Sequence, residues 1–282
     1  MANKEINLDS ACDHPKVILS IAGFDPTGGA GIIADSRTAS HFGCYCCTLI
    51  TSITSQNSTG FYRNKATPIS LLESQLDAVL QDFEVAAVKI GLITDMKIAS
   101  FVSSSLETYF KSTPIVIDPI ISTTKSDQLV DSDLLAFFKS TLFPLATVLT
   151  PNLKELETIS DKALSTRADI RKAVQKLIKT GTDSIVITGY KSINSRRRIQ
   201  VSDLMFSNDK FSEINRNWIQ TNNSHGSGCI FSTSVACNLA LGFDTYKSIG
   251  IAGDYINSLL INSKTYSFKS ATGVTNQYGP LL

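Results

Sequence analysis

Short apolar, β-branched segments alternate with helical patterns along almost the whole chain. Six predicted strands share this composition: Val17–Ile21, Cys47–Ile53, Ala86–Ile90, Ile115–Ile117, Thr147–Leu149 and Ser184–Thr188. The helices predicted between them are Gly31–Phe42, Ile69–Gln81, Met96–Phe110, Ser132–Lys139, Leu153–Ile159 and Thr166–Thr180. This alternation indicates crossover connections, which place strands parallel in a sheet that helices cover on both faces. The sequence therefore predicts an α/β fold with a mostly parallel central sheet.

The pattern changes in the last third of the chain. Arg198–Phe206 and Lys210–Ile214 alternate apolar and polar residues on either side of a polar turn, which predicts an edge β-hairpin. Two helices, Ile230–Leu241 and Tyr246–Lys264, are predicted to follow. Because no Pro- or Ser-rich linker interrupts the chain, we expect a single domain over residues 1–282, with residues 1–15 as a flexible tail.

The composition excludes several classes of function. A net charge of +1 gives no electrostatic reason to expect nucleic acid or an anionic membrane as a partner. No apolar run approaches the roughly 20 residues of a membrane-spanning helix. The N-terminal residues are charged and do not form a secretory signal, so we expect a cytoplasmic protein. Of the six cysteines only Cys44 and Cys47 have CxxC spacing, and no second such pair accompanies them, which argues against a zinc site.

The segment Ser224-His-Gly-Ser-Gly-Cys229 precedes a predicted helix and carries the strongest chemical signal. Glycines on both sides of Ser227 leave backbone N–H groups unshielded at the helix start, where the helix dipole also favours an anion. Cys229 would lie beside a bound phosphate and could act as a base if its thiol pKa were lowered. His225 is expected to have a positioning role. Together these features indicate phosphoryl transfer.

Other polar residues follow predicted strands, where ligands of parallel sheets bind. The glycine-rich turn Gly23–Gly31 matches neither a dinucleotide fingerprint nor a P-loop, and is either a tight turn or a close approach to a small ligand. The amide of Gln56 suits a ring nitrogen and an exocyclic amine, or belongs to a solvated loop. Asp118 either has a structural role or faces the site.

Asn152 and Glu155 lie three residues apart at the start of a predicted helix and therefore share one face. Near a triphosphate they could position Mg²⁺ through water. The alternative is a helix cap with an acidic first turn. The run Arg196–Arg198 is short, and we interpret it as a solvated loop rather than a nucleic-acid contact.

Six segments occur in the order typical of one family: Ser20–Gly31 with Ala34-Asp35, Thr54–Asn57, Val88–Gly91, Ile117–Ile120, Thr150–Glu155 and Ser224–Cys229. Between Val17 and Leu241 the chain resembles the hydroxymethylpyrimidine (phosphate) kinases, thiamine-pathway members of the ribokinase superfamily. The resemblance implies a ribokinase-like three-layer α/β/α fold. It also implies ATP-dependent phosphorylation of 4-amino-5-hydroxymethyl-2-methylpyrimidine, its monophosphate or both, with Mg²⁺ and in a homodimer.

The same resemblance implies roles for individual residues. It assigns the pyrimidine to Gly23, Ala30, Thr54, Gln56, Leu92 and Ile120, with Asp35 near the hydroxymethyl group. It assigns the transferred phosphoryl group to Gly226, Ser227 and Gly228, and the role of base to Cys229. It assigns the ATP phosphates to Asn152, Glu155, Thr188 and Lys191, and Mg²⁺ to Glu155 and Asp118, partly through water.

Two departures concern positive charge. The family usually has a lysine where this chain has Thr188, and another where it has Asn222. We expect Lys191, or less readily Arg196–Arg198, to replace part of that charge. Two other functions remain open from the sequence: a pyridoxal-type kinase, and a heterocycle-binding protein with weak or no transfer.

Overall fold

A computed structural model describes residues 14–57, 60–122, 128–193, 197, 199–207, 210–269 and 275–276. Most of the predicted flexible tail, residues 1–13, lies outside the described residues, as do Arg196, Arg198 and residues 208–209 of the predicted hairpin turn. Within the described part of the chain, no helix is both long and apolar enough to cross a membrane.

A nine-stranded sheet forms the centre of the fold. Its strands are β1 Val17–Phe24, β2 Tyr45–Asn57, β3 Gly60–Ala66, β4 Val85–Ile90, β5 Ile115–Ile117, β6 Val148–Leu149, β7 Ser184–Ile193, β8 Ile199–Ser207 and β9 Lys210–Asn217. The spatial order is β3-β2-β1-β4-β5-β6-β7-β8-β9. The six central strands, β2, β1, β4, β5, β6 and β7, run parallel to one another. At the edges, β3, β8 and β9 each run antiparallel to a neighbour. The mostly parallel sheet and the edge hairpin β8–β9 are therefore confirmed.

Eight α-helices cover the sheet in the described part of the chain. They are α1 Gly31–His41, α2 Ile69–Asp82, α3 Met96–Tyr109, α4 Ser132–Phe137, α5 Leu153–Ser160, α6 Arg167–Ile178, α7 Ser227–Ala240 and α8 Thr245–Ser263. Helix α4 continues into a π-helical turn, Phe138–Leu142, and a 3₁₀ turn, Phe143–Leu145. Helices α1, α7 and α8 pack in one apolar cluster and α2 to α6 in another, on opposite faces of the sheet. The predicted three-layer arrangement is confirmed.

Strand β3 is not among the strands predicted from the sequence. Its sequence, Gly60-Phe-Tyr-Arg-Asn-Lys-Ala66, is too polar to resemble the buried strands, because it lies at the edge of the sheet and pairs with β2. This pairing extends β2 as far as Asn57. As a result, Gln56 lies in a paired strand rather than in the solvated loop that the sequence left open. A second small pair, β10 Phe268–Lys269 and β11 Thr275–Asn276, was also missed.

A buried ion pair joins the two layers that carry the site. Lys89 of β4 places its Nζ 3.0 and 2.8 Å from the two carboxylate oxygens of Asp35 on α1. The same carboxylate accepts hydrogen bonds from Ser20 of β1 at 2.6 Å and from Thr233 of α7 at 2.8 Å. All four residues are fully buried. Because the carboxylate is this well hydrogen-bonded, the unfavourable desolvation of both charges is offset.

Gly31 closes the turn between β1 and α1 and adopts φ +60°. A side chain here would adopt a backbone conformation that L-residues disfavour, and its Cβ would collide with the carbonyl oxygen of Gly23. Gly43, after α1, also has a left-handed φ of +70°, but a Cβ there meets nothing within 4 Å.

We expect Gly31→Ala to reduce the free energy of unfolding more than Gly43→Ala. Gly43→Ala should lose about 1–2 kcal/mol from the left-handed backbone alone, whereas Gly31→Ala adds the collision. Urea denaturation of both variants and the wild type measures the difference. Equal losses would show that the β1–α1 turn adjusts freely and does not hold α1 in place.

Candidate active site

A cavity of about 530 Å³ lies at the carboxyl ends of the parallel strands, within the usual size range for small-molecule sites. Residues predicted for the heterocycle, the phosphoryl group and the metal all line it: Gly23, Ala30, Thr54, Gln56, Leu92, Asp118, Ile120, Asn152, Glu155, Thr188, Gly226, Ser227, Gly228 and Cys229. Segments far apart in sequence therefore meet in one cavity. The individual roles of these residues stay predictions.

The anion cradle is the start of α7. Its N-cap residue, Gly226, adopts φ +76° and makes no side-chain capping bond. The first N–H groups of a helix have no partner within the helix, so those of Gly228 and Cys229 suit an anion. A Cβ on Gly228 would lie 3.5 Å from Asp118 Oδ2, and one on Gly226 would collide with the carbonyl oxygen of Gly29. Glycine is therefore required where the cradle contacts the glycine-rich turn.

The glycine-rich turn is organised by Asp25, which is 1% exposed. Its Oδ1 accepts hydrogen bonds from the N–H and hydroxyl of Thr27 at 2.9 and 2.8 Å, and its Oδ2 accepts one from the N–H of Ala30 at 3.0 Å. His225 Nε2 lies 3.4 Å from Asp25 Oδ2. Burial raises the pKa of Asp25, but the hydrogen bonds from His225 and Thr27 outweigh it and lower the pKa overall. This contact supports the positioning role expected for His225.

Cys229 differs from expectation in its ionisation. Burial raises the pKa of its thiol to about 12; the positive charge of Lys89 opposes this rise, and the negative charge of Asp118 adds to it. The lowered thiol pKa that a base at Cys229 requires is therefore not present in the protein alone. The same burial that shields the cradle from water disfavours a thiolate.

Two buried carboxyl groups lie beside the cradle. Glu155 and Asn152 form a reciprocal cap at the start of α5: the Asn152 N–H donates to Glu155 Oε2 at 2.9 Å, and the Glu155 N–H donates to Asn152 Oδ1 at 3.0 Å. The helix-cap interpretation of this pair is thus correct. Asp118 accepts a hydrogen bond from Ser232 at 3.3 Å.

Burial changes the ionisation of this acidic pair. It raises the pKa of Glu155 to about 8, with a further contribution from the charge of Asp118. Burial also raises the pKa of Asp118 to about 6; Lys89 opposes the rise and Asp35 adds to it. Two desolvated carboxyl groups fit a hydrated Mg²⁺, whose charge would favour their ionised forms. Among the described residues, no cluster of three or more His, Cys, Asp or Glu could hold a metal, so such an ion would keep several waters.

Two predicted site residues do not line the cavity. Asp35 lies beneath it, with its carboxylate engaged by Lys89, Ser20 and Thr233, so the expected contact with the substrate hydroxymethyl group is corrected to a structural role. Lys191 is exposed on β7 and is also absent from the lining. It follows a register shift in the β7–β8 pairing between Ile187 and Tyr190.

The cavity also contains residues that the sequence analysis did not assign. Lys154, Phe61 and Asn222 line it. Lys154 is an exposed residue in the first turn of α5, between Asn152 and Glu155. Its place inside the Asn-Leu-Lys-Glu motif was a usable signal, because a helix start at the carboxyl end of a strand presents its first side chains to a ligand.

Comparison with known sequences identifies the family. Residues 25–276 match the sequence model of the phosphomethylpyrimidine kinases. This chain belongs to the phosphomethylpyrimidine kinase family. It is 32% identical to the hydroxymethylpyrimidine/phosphomethylpyrimidine kinase of Rhizobium meliloti, over 86% of this chain and 90% of that protein. It is 31% identical to a probable thiamine biosynthetic bifunctional enzyme of Oryza sativa over 88% of this chain, but spans 44% of that protein. The prediction of a kinase of this family is confirmed.

Solved structures agree on the fold of this phosphomethylpyrimidine kinase family member. A phosphomethylpyrimidine kinase from Clostridium difficile matches with TM-score 0.74 and 26% identity, over 86% of this chain and 98% of that chain. A pyridoxal kinase from Bacillus subtilis, solved as an ADP complex, matches with TM-score 0.79 and 27% identity, over 94% of this chain and 97% of that chain. The ribokinase-like fold is therefore confirmed.

The acidic pair predicts a pH dependence of stability. Glu155 has a pKa of about 8 in the folded protein against an ordinary value of 4.5, so between these values the folded state binds a proton that the unfolded state has lost. The free energy of unfolding should therefore fall as the pH rises through this window. Asp118 adds the same trend between 3.8 and about 6.

Urea denaturation between pH 5 and about 8.5 measures this trend. Glu155→Gln should flatten the decline, because the amide does not titrate. Glu107→Gln, on an exposed position of α3, is the control and should leave the slope unchanged. A wild-type protein whose stability is constant over this range would contradict the buried acidic pair.

Proposed function

We propose that the protein transfers the γ-phosphoryl group of ATP to the hydroxymethyl group of 4-amino-5-hydroxymethyl-2-methylpyrimidine, to the phosphate group of its monophosphate, or to both. The observation that carries the proposal is that one cavity is lined both by the anion cradle Gly226–Gly228 and by Gln56, Leu92 and Ile120. A substrate in it would place an aromatic ring at one end and a reacting hydroxyl at the other.

The ring end combines apolar contact with one amide. Leu92 and Ile120 offer apolar surface, and Gln56 offers a donor and an acceptor that suit an aminopyrimidine edge. Gly23 lets the chain come close to the ring, since a Cβ there would lie 3.1 Å from Leu92 Cδ2 and 3.2 Å from Ser52 Oγ. These contacts support a planar heterocycle as the acceptor substrate.

At the other end, the substrate oxygen attacks the γ-phosphorus, the bond from phosphorus to the ADP oxygen breaks, and the hydroxyl proton passes to Cys229. The thiol must first lose its own proton to water, because only the thiolate can accept the hydroxyl proton. The buried charge of Lys89 and the first N–H groups of α7 favour that thiolate and offset part of the effect of burial. The cradle N–H groups stabilise the charge on the transferred phosphoryl oxygens. Mg²⁺ held by Glu155 and Asp118, partly through water, would neutralise charge on the ATP phosphates.

Lys154 supports the phosphate end in place of the expected lysine. The position usually occupied by a family lysine is Thr188, which lines the cavity and bridges to Asn152. Lys154 lies in the first turn of the same helix, α5, and lines the same cavity. We therefore assign to Lys154 the compensating charge that the sequence analysis assigned to Lys191. Cytoplasmic location and a homodimer stay predictions.

Two other functions are tested by the same assay. The similarity to the pyridoxal kinase of Bacillus subtilis supports pyridoxal as a second acceptor, but the family match and the amide of Gln56 favour the aminopyrimidine. A heterocycle-binding protein without transfer would keep the cavity and show no turnover. The chain spans about half the length of the bifunctional relatives that it matches.

Wild-type protein should release ADP from ATP when the aminopyrimidine is present, and much less when pyridoxal is present at the same concentration. Cys229→Ala should reduce this release by about 10²-fold or more, because the proton acceptor is lost, while the calorimetric affinity for the pyrimidine stays close to that of wild type. Retained turnover in Cys229→Ala would exclude Cys229 as the base. Pyrimidine binding without ADP release in the wild type would favour the binding protein.

A matched pair of lysine variants tests the source of the missing charge. Lys154→Ala should lower ATP-dependent turnover by about 10²-fold, because a cation near the transferred phosphoryl group is removed. Lys191→Ala, which removes a cation outside the cavity, should have a much smaller effect. The opposite ranking would restore the original assignment to Lys191. Circular dichroism of both variants checks that the fold is intact.

A further inference from the structure

The hydroxyl group of Thr54 makes two hydrogen bonds that together determine the orientation of a neighbouring amide. Thr54 Oγ1 lies 2.9 Å from the carbonyl oxygen of Phe24 and 3.1 Å from Nε2 of Gln56. A carbonyl oxygen can only accept, so the single hydroxyl proton is donated to Phe24. The hydroxyl can then only accept from Gln56. The side of Gln56 that faces Thr54 must therefore be its NH₂ group, and this follows from donor and acceptor chemistry alone.

The surrounding structure holds these two hydrogen bonds in place. Thr54 and Gln56 are two residues apart on β2, so both side chains lie on the same face of the strand. Thr54 is 4% exposed, and Phe24 is the last residue of β1, where the glycine-rich turn begins. The pairing of β2 with β3 shifts register between Ser55 and Gln56. The two hydrogen bonds of Thr54 thus connect the ends of two strands at the cavity that Thr54 and Gln56 line.

We propose that Thr54 is a positioning residue that makes the cavity selective for a heterocycle edge with an exocyclic amine beside an unprotonated ring nitrogen. This inference rests on the proposed function. With the NH₂ group of Gln56 held toward Thr54, its second N–H can donate to a ring nitrogen and its Oε1 can accept from an exocyclic amine. The 4-aminopyrimidine edge presents this pattern.

The corresponding 4-oxo pyrimidine presents the reverse pattern, a carbonyl acceptor beside a ring N–H. It matches Gln56 only if the amide turns over. Turning it places Oε1 against Thr54 Oγ1, two acceptors with no proton between them, unless Thr54 gives its proton to Gln56 and the Phe24 carbonyl loses this hydrogen bond. Either result removes a hydrogen bond at a partly buried polar group, and such losses are a strong source of discrimination between isosteric substrates.

The experiment compares the 4-amino substrate with its 4-oxo analogue, 5-hydroxymethyl-2-methylpyrimidin-4-one, by ADP release. In the wild type, kcat/KM should favour the 4-amino compound by about 10²-fold or more. Thr54→Val keeps the shape and removes the hydroxyl, so the amide is free to turn. The ratio should then fall about tenfold, mainly through KM. Thr54→Ser restores the hydroxyl and should restore the wild-type ratio.

Several outcomes would overturn the proposal. The proposal is wrong if the wild type accepts both compounds equally. It is also wrong if Thr54→Val loses activity toward both compounds by the same factor, since such a loss is a purely structural effect. If Thr54→Val does not fold by circular dichroism, Thr54→Ala is measured in the same way, and the wild-type ratio remains a test by itself. If the wild type releases no ADP with either compound, the proposed function fails. Calorimetric affinities for the two compounds then decide the role of Thr54 separately.

Discussion

The ion pair between Lys89 and Asp35 is the interaction on which the geometry of the site depends. The carboxylate of Asp35 accepts hydrogen bonds from Lys89 of β4, Ser20 of β1 and Thr233 of α7. Strand β1 leads into the glycine-rich turn, α7 begins at the anion cradle, and β4 leads through Gly91 to Leu92 of the cavity wall. The turn and the cradle contact each other where Gly29 meets Gly226. Removing one partner would leave a buried charge unpaired, which is far less favourable than losing an exposed ion pair. The network therefore fixes the distance between the two segments.

The same burial determines the electrostatics above the ion pair. Cys229, Asp118 and Glu155 are all desolvated, and burial raises the pKa of each group. Lys89 opposes that rise for Cys229 and Asp118. Without other positive charge, the cavity therefore disfavours three anions in close proximity. Cationic groups at the phosphate end, such as Lys154 and a hydrated metal ion, would bring these residues to their ionised forms, so substrate binding and the activation of Cys229 are expected to be coupled.

Much of the fold could be predicted because the sequence signal was local. The buried parallel strands and their helices follow from apolar runs and helical periodicity, and the start of α5 follows from the cap formed by Asn152 and Glu155. Strand β3 could not be predicted in this way, because an edge strand is partly solvated and carries no apolar run. Once β3 pairs with β2, Gln56 becomes part of a strand and its amide orientation is determined by Thr54.

The sequence by itself determined the family and the layered fold, and nearly all of the site residues that it predicted line the cavity, because each motif follows a strand and parallel strands end at one edge of the sheet. It did not determine which polar residues are available to a ligand. Asp35 is engaged by Lys89 below the cavity, Lys191 lies outside it, and Lys154 lines it. The ionisation of Cys229 also depends on its burial beside distant residues. Desolvation and partner contacts arise from packing between segments far apart in the chain, so only the tertiary structure decided them.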